Sequence, residues 1–181
     1  MQQWSREPVT QPSQDAPAEP PVTTDAALFA SALAPSRRLI GLDVGTKTIG
    51  LALSDVTRTI ATGFETMKRS KFRQEAAYLV ALAEQHALTG VVVGLPINLD
   101  GSEGPRAQSS RAFARNLVRI LPLPILLWDE RLTTAAAERL LIEADQSRKR
   151  RAEVVDRVAA TLILQGALDR LAHLAPPREE T

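Results

Sequence analysis

Apolar positions in the middle of the chain first follow a strand rhythm and then a helical one. Residues 38–44, 49–55 and 59–66 are apolar or alternating runs parted by a few turn-forming residues, which predicts three strands joined as antiparallel hairpins. From Lys71 to Ala87 the spacing changes: Phe72, Ala76, Leu79, Val80, Ala83 and Ala87 fall on one helical face. Val91-Val92-Val93-Gly94-Leu95 is continuously apolar, as in a strand buried on both faces. A polar loop follows, then a helix from about Pro105 to Ile120, then a fifth strand at Ile125-Leu126-Leu127-Trp128. Thr133 or Thr134 is placed to cap a helix with Ala137, Leu140, Leu141 and Ala144 on one stripe. A basic loop, Ser147 to Arg151, leads to a last helix over about 152–172.

This order predicts an α/β fold with a five-stranded mixed sheet flanked by helices. Three strands form an antiparallel meander; the last two join through crossover helices and run parallel to the first. Ligands of such sheets bind beyond the carboxyl ends of the parallel strands. Asp43, the Gly94-Leu95-Pro96 turn and Glu130 all lie at such ends.

Composition bounds the domain. Six of the twelve prolines precede residue 37, so residues 1–36 read as a disordered Pro-rich extension. Within it, Asp25 to Ala34 has the pattern of one or two helical turns with Asp25 as N-cap. The folded domain is expected over 37–175, with 176–181 as a tail. Segment 1–36 holds one Arg and four acids, so it carries −3 and the rest of the chain +4, a mildly basic balance compatible with nucleic acid. With no Cys and two His, a thiolate nucleophile or a cysteine zinc site is excluded. A metal would need oxygen ligands, hence Mg2+ or Mn2+. No apolar run spans a bilayer and no basic-then-apolar leader opens the chain, so a cytoplasmic location without membrane contact is expected.

Against that background the acids stand out. Asp43 shares a strand face with Leu39 and Gly41, and a carboxylate on so apolar a strand must be paired, hydrogen-bonded or bound to a cation. A hairpin-capping Asp is the plain alternative. Asp156 shares its helix face with Ala159, Ala160 and Ile163, small residues that permit close approach to a sheet. A first-turn acid serving the helix dipole would look the same. Asp129 and Glu130 end the fifth strand on opposite faces, so only one of them can face the site. Acids converging from three elements need a counter-charge, and two magnesium ions meet that need in phosphodiester hydrolysis.

The stretches Gly41-Leu42-Asp43-Val44-Gly45-Thr46-Lys47, Val93-Gly94-Leu95-Pro96 with Asp100-Gly101-Ser102-Glu103, Asp129-Glu130-Arg131-Leu132-Thr133-Thr134 and Val155-Asp156-Arg157-Val158-Ala159-Ala160 together resemble the YqgF/RuvX family. The resemblance covers about 38–171. It implies the ribonuclease H-like fold, likeness to Holliday-junction resolvases, and a nuclease that matures the 5′ end of pre-16S ribosomal RNA. It also implies that Asp43, Glu130 and Asp156 are the catalytic, metal-binding acids. Arg157 departs from the pattern, which leads one to expect Lys there, and the two present different geometry.

Further expectations concern nucleic-acid binding. Gly45 and Thr46 offer turn amides and a hydroxyl to a phosphate, and Lys47 a point charge. Asn98 and Arg106 flank a loop at a strand end and are positioned to touch the substrate backbone. Arg148, Lys149, Arg150 and Arg151 form a basic run just before the helix bearing Asp156, suited to clamping phosphates. Arg111, Arg115 and Arg119 read as a solvated helix face. Aromatic residues are only 4%, so recognition is expected to rest on backbone and shape rather than on base stacking. His86 and His173 sit where helix C-capping outranks catalysis. The alternatives are a resolvase of branched DNA acting as a homodimer, an actin-like ATPase domain suggested by Asp-Xaa-Gly-Thr, and a non-catalytic RNA-binding module. The oligomeric state, monomer or homodimer, stays open.

Overall fold

The computed structural model describes residues 20–132 and 148–175. Its elements in chain order are β1 (Val22–Thr23), α1 (Ala26–Ser31), β2 (Arg38–Val44), β3 (Thr48–Ser54), β4 (Ala61–Lys68), α2 (Phe72–Gln85), β5 (Leu88–Leu95), α3 (Pro105–Leu117), β6 (Ile125–Asp129), a 3-10 turn (Glu130–Leu132) and α4 (Arg148–Leu174). The helix expected after Thr133 lies outside the described residues.

The sheet order is β1-β6-β5-β2-β3-β4. Strands β2, β5 and β6 are parallel, and β3 runs antiparallel to both β2 and β4. The expected meander and two parallel strands are therefore present. A sixth, two-residue strand adds to them, with Val22 and Thr23 pairing in parallel with Ile125 and Leu126.

That sixth strand corrects the reading of 1–36 as a disordered extension, while α1 matches the helical turns expected after Asp25. Residues 20–36 carry β1 and α1, and Asp25 caps α1 by accepting from the Ala27 and Leu28 amides at 2.8 and 3.3 Å. Composition missed them because one aromatic residue holds the segment down. Phe29 is fully buried with Leu39, Val92, Leu126 and the apolar face of α4. Residues 1–19 and 176–181 lie outside the described residues.

Each face of the sheet has its own core. Helices α2 and α3 cover one face, over Ile40, Leu42, Ile49, Leu51, Val91, Val93 and Leu127. Helix α4 crosses the other face, over Ala52, Val92, Leu126 and Trp128. Strand alternation divides the apolar residues between these layers. The close seat of α4 depends on missing side chains. A Cβ on Gly50 would lie 2.1 Å from the Asp156 carbonyl oxygen, and one on Gly41 would lie 2.7 Å from Leu164 Cβ. The room beside Asp43 that Gly41 opens is thus filled by α4 itself.

Candidate active site

Asp43 lies one residue before the end of β2 and opposite Gly50 of β3. It occupies the same sheet face as Gly41, the face crossed by α4. Because Gly50 admits the α4 backbone at Asp156, two carboxylates far apart in sequence come within Coulombic range. The Thr48 hydroxyl donates to Asp156 Oδ2 at 2.6 Å and fixes that carboxylate over the β2–β3 turn.

Glu130 opens the 3-10 turn after β6. Its neighbour Asp129 is paired with Arg131, whose Nη2 lies 2.7 Å from Asp129 Oδ2 and whose backbone amide donates to Asp129 Oδ1 at 3.0 Å. The two acids therefore part company: Asp129 is neutralised within its own turn, and Glu130 points back over the sheet. A Cβ on Gly94 would lie 2.6 Å from Glu130 Oε1, so the bare backbone of β5 leaves room for this carboxylate.

Electrostatics tie the three acids together. Burial, and next the Asp156 charge, hold the Asp43 pKa above the ordinary carboxylate range, while Arg106 pulls it back. Burial, and next Asp43, push Glu130 up to about 7, again opposed by Arg106. Asp43 thus feels both other acids and stands electrostatically between them. The ion pairs among the described residues are Arg69–Glu75, Arg111–Glu103 and Arg131–Asp129, so none of the three site acids has its own cationic partner there. They do not close into a cage either: among the described residues, no group of three His, Cys, Asp or Glu side chains is disposed to hold one ion.

The expected nucleic-acid contacts distribute unevenly. Thr46 and Lys47 are exposed in the β2–β3 turn beside Asp43. The Gly45 amide is not free for a phosphate, because it donates to the Thr48 carbonyl at 2.9 Å and closes the turn. Arg106 is exposed in the first turn of α3, near Asp43 and Glu130. Asn98 is exposed but locked within its loop, its Nδ2 donating to Ser102 Oγ at 2.9 Å and its carbonyl accepting from the Gly101 amide. Arg148, Lys149, Arg150 and Arg151 are not in a loop: they lie within α4, which is helical from Arg148, the first described residue after the gap and four residues earlier than expected.

Two bracing residues escaped the sequence reading. Glu75 is fully buried and paired with Arg69, Nε to Oε1 at 2.9 Å, and it also accepts from the Ser70 amide at 2.7 Å. Arg69 Nη1 in turn donates to the Gly45 carbonyl at 2.6 Å, directly behind the Asp43 turn. A Glu at helical spacing gives no sign of burial, because its partner is supplied by the turn and not by the pattern of α2. The signal for Thr48 was available: the hairpin register that pairs Asp43 with Gly50 puts Thr48 on the same face.

A family model described as RuvX, Holliday junction resolvase, matches residues 37–170. The chain belongs to the RuvX family. A curated relative from Cereibacter sphaeroides (strain ATCC 17025 / ATH 2.4.3), named "Putative pre-16S rRNA nuclease", is 63% identical over 150 residues, covering 83% of this chain and 94% of its own. Relatives of the same name from Ruegeria pomeroyi and Paramagnetospirillum magneticum are 60% and 57% identical, covering 81% and 86% of this chain and 95% and 99% of their own. Among solved structures, Thermus thermophilus RuvC in complex with a Holliday junction substrate aligns with a TM-score of 0.50 at 14% identity, over 75% of this chain and 96% of that one. The RuvX domain therefore has the ribonuclease H-like resolvase fold, with β1 and α1 lying outside the family match.

Proposed function

We propose that this RuvX-family nuclease hydrolyses phosphodiester bonds of structured RNA, with the precursor 5′ end of 16S ribosomal RNA as substrate, using divalent cations held by Asp43, Glu130 and Asp156. One observation carries the reading: Asp43 and Glu130, at the carboxyl ends of β2 and β6, the parallel strands on either side of β5, are partly buried, mutually repelling and without an ion-pair partner among the described residues. A protein keeps such charges where an incoming cation offsets them. The names of the relatives supply the substrate class.

The donor set suits magnesium. It is all oxygen, and Mg2+ is commonly held by one or two carboxylates with substrate phosphate and water completing the shell. When bound, the cation supplies Lewis-acid polarisation of the scissile phosphate and an activated water. The chain's own residues do the rest. Asp43 serves both flanking acids, Thr48 holds Asp156 in place, and Arg106 meets the phosphate charge beside Glu130. Such a substrate puts the work in the cytoplasm, and no described helix is long and apolar enough to cross a membrane.

Replacing Asp43 by Asn tests the assignment. Cleavage of a precursor 16S fragment in magnesium is expected to fall by about 10²–10³-fold or more, with an unchanged circular dichroism spectrum. Cleavage at the wild-type rate would end the proposal. Branched DNA is the second reading, favoured by the description of the family model. Parallel digests of a four-way DNA junction and the RNA fragment separate the two by which one is cut.

A further inference from the structure

Cations that the sequence reading passed over gather on the β4–α2 corner beside the acids. We infer that Lys68, Lys71 and Arg73, continuing from Lys47, form a phosphate-binding track that carries the substrate backbone away from the cleavage site. The inference rests on the nuclease reading above and names which surface holds the RNA flanking the scissile bond.

Register places the start of the track. Lys68 pairs directly with Thr48 across β3 and β4, and paired residues of an antiparallel ladder share a face. That is the face on which the Thr48 hydroxyl holds Asp156. Lys68 is therefore a near neighbour of Asp156 on the meander side of the site.

Bracing keeps the corner in place. The Arg69 amide donates to the Lys47 carbonyl at 2.9 Å, and Arg69 Nη1 donates to the Gly45 carbonyl, so segments 45–47 and 68–73 are tied together. Arg69 is itself committed inward, to buried Glu75 and over the Phe113 ring at 5.9 Å. Its neighbours are not. Lys47, Lys68, Lys71 and Arg73 are exposed, and none has a carboxylate partner among the described residues. The only acid between Thr66 and Ala83 is Glu75, which is turned into the core. The nearest other acid on β4, Glu65, is engaged by the Tyr78 hydroxyl of α2, so neither it nor Glu75 pairs with these cations. Phosphate backbone is the ligand that matches, since few aromatic residues are at hand to read bases.

The test separates binding from cleavage. In the Asp43→Asn background, Lys68→Gln/Lys71→Gln/Arg73→Gln is compared with the parent for binding to a precursor 16S 5′-end fragment across salt. The slope of log K against log salt is expected to fall by about 2–3, so the affinity lost between 50 and 200 mM salt shrinks by about 15–60-fold. With Asp43 intact, the triple variant raises KM and leaves kcat at saturating RNA within about twofold. The charge-retaining Lys68→Arg/Lys71→Arg/Arg73→Lys restores the slope, and Arg115→Gln/Arg119→Gln, in and just after the last turn of α3, leaves it unchanged. A parental slope and affinity in the triple Gln variant, with the wild-type chain cutting the RNA, overturns the track and spares the nuclease reading. A charge-retaining variant that fails to restore the slope overturns it too. A wild-type chain that neither binds nor cuts removes both.

Discussion

Asp129 keeps its charge by pairing with Arg131, whereas Glu130 has no ion-pair partner among the described residues. With its pKa lifted from 4.5 to about 7, native Glu130 holds its proton across a window in which the unfolded chain has released it. Stability from this group therefore falls as pH rises from about 4.5 through 7. Above that window the ionised, partly buried carboxylate opposes folding. In chelator, Glu130→Gln is expected to melt at a higher temperature than wild type at pH 8 and to lose that advantage at pH 4.5. Magnesium at pH 8 should narrow the gap by stabilising the wild type through binding. Thermal unfolding at both pH values checks this; a Gln variant less stable at pH 8 contradicts it. The carboxylates themselves were legible as residues. The choice of Glu130 over Asp129 came with the family resemblance, and the structure adds the physical difference between them, the pairing of Asp129 with Arg131.

Asp156 owes its place to α4 as an element. The helix lies over β2, β3 and β4 because glycine replaces a side chain where it crosses. Gly50→Ala would put a Cβ 2.1 Å from the Asp156 carbonyl oxygen, which is backbone and cannot swing aside. The variant is expected to lose about 1–3 kcal/mol or more, and to lose activity out of proportion, because the shift moves Asp156 from Asp43. Chemical denaturation alongside cleavage assays measures both; wild-type activity would show that the seat of α4 is not what aligns the acids. Small residues at 159 and 160 announced that the helix packs closely. They did not say on which strands, and they did not place Arg148 to Arg151 within the helix.

At the scale of the molecule, the domain is larger than its composition suggests. Phe29 sits in the second core, at 0% exposure, and ties β1 and α1 to the sheet edge and to α4. Phe29→Ala is expected to cost about 3–5 kcal/mol, whereas a dispensable extension would lose almost nothing; urea unfolding distinguishes them. Prolines on both sides of the segment masked it, since composition averages over a window and a single anchoring ring does not move the average. The sequence by itself determined the strand and helix order, the two-faced division of apolar residues and the chemistry of an oxygen-only site, because periodicity and residue type are local properties. Only the tertiary structure decided that Asp43 lies between two other acids, that Glu75 is buried to brace Arg69, and that Lys47 and Lys68, from different hairpins, share one corner. Those facts depend on which backbones lie against each other, and that is fixed by packing between elements rather than by the pattern within any of them.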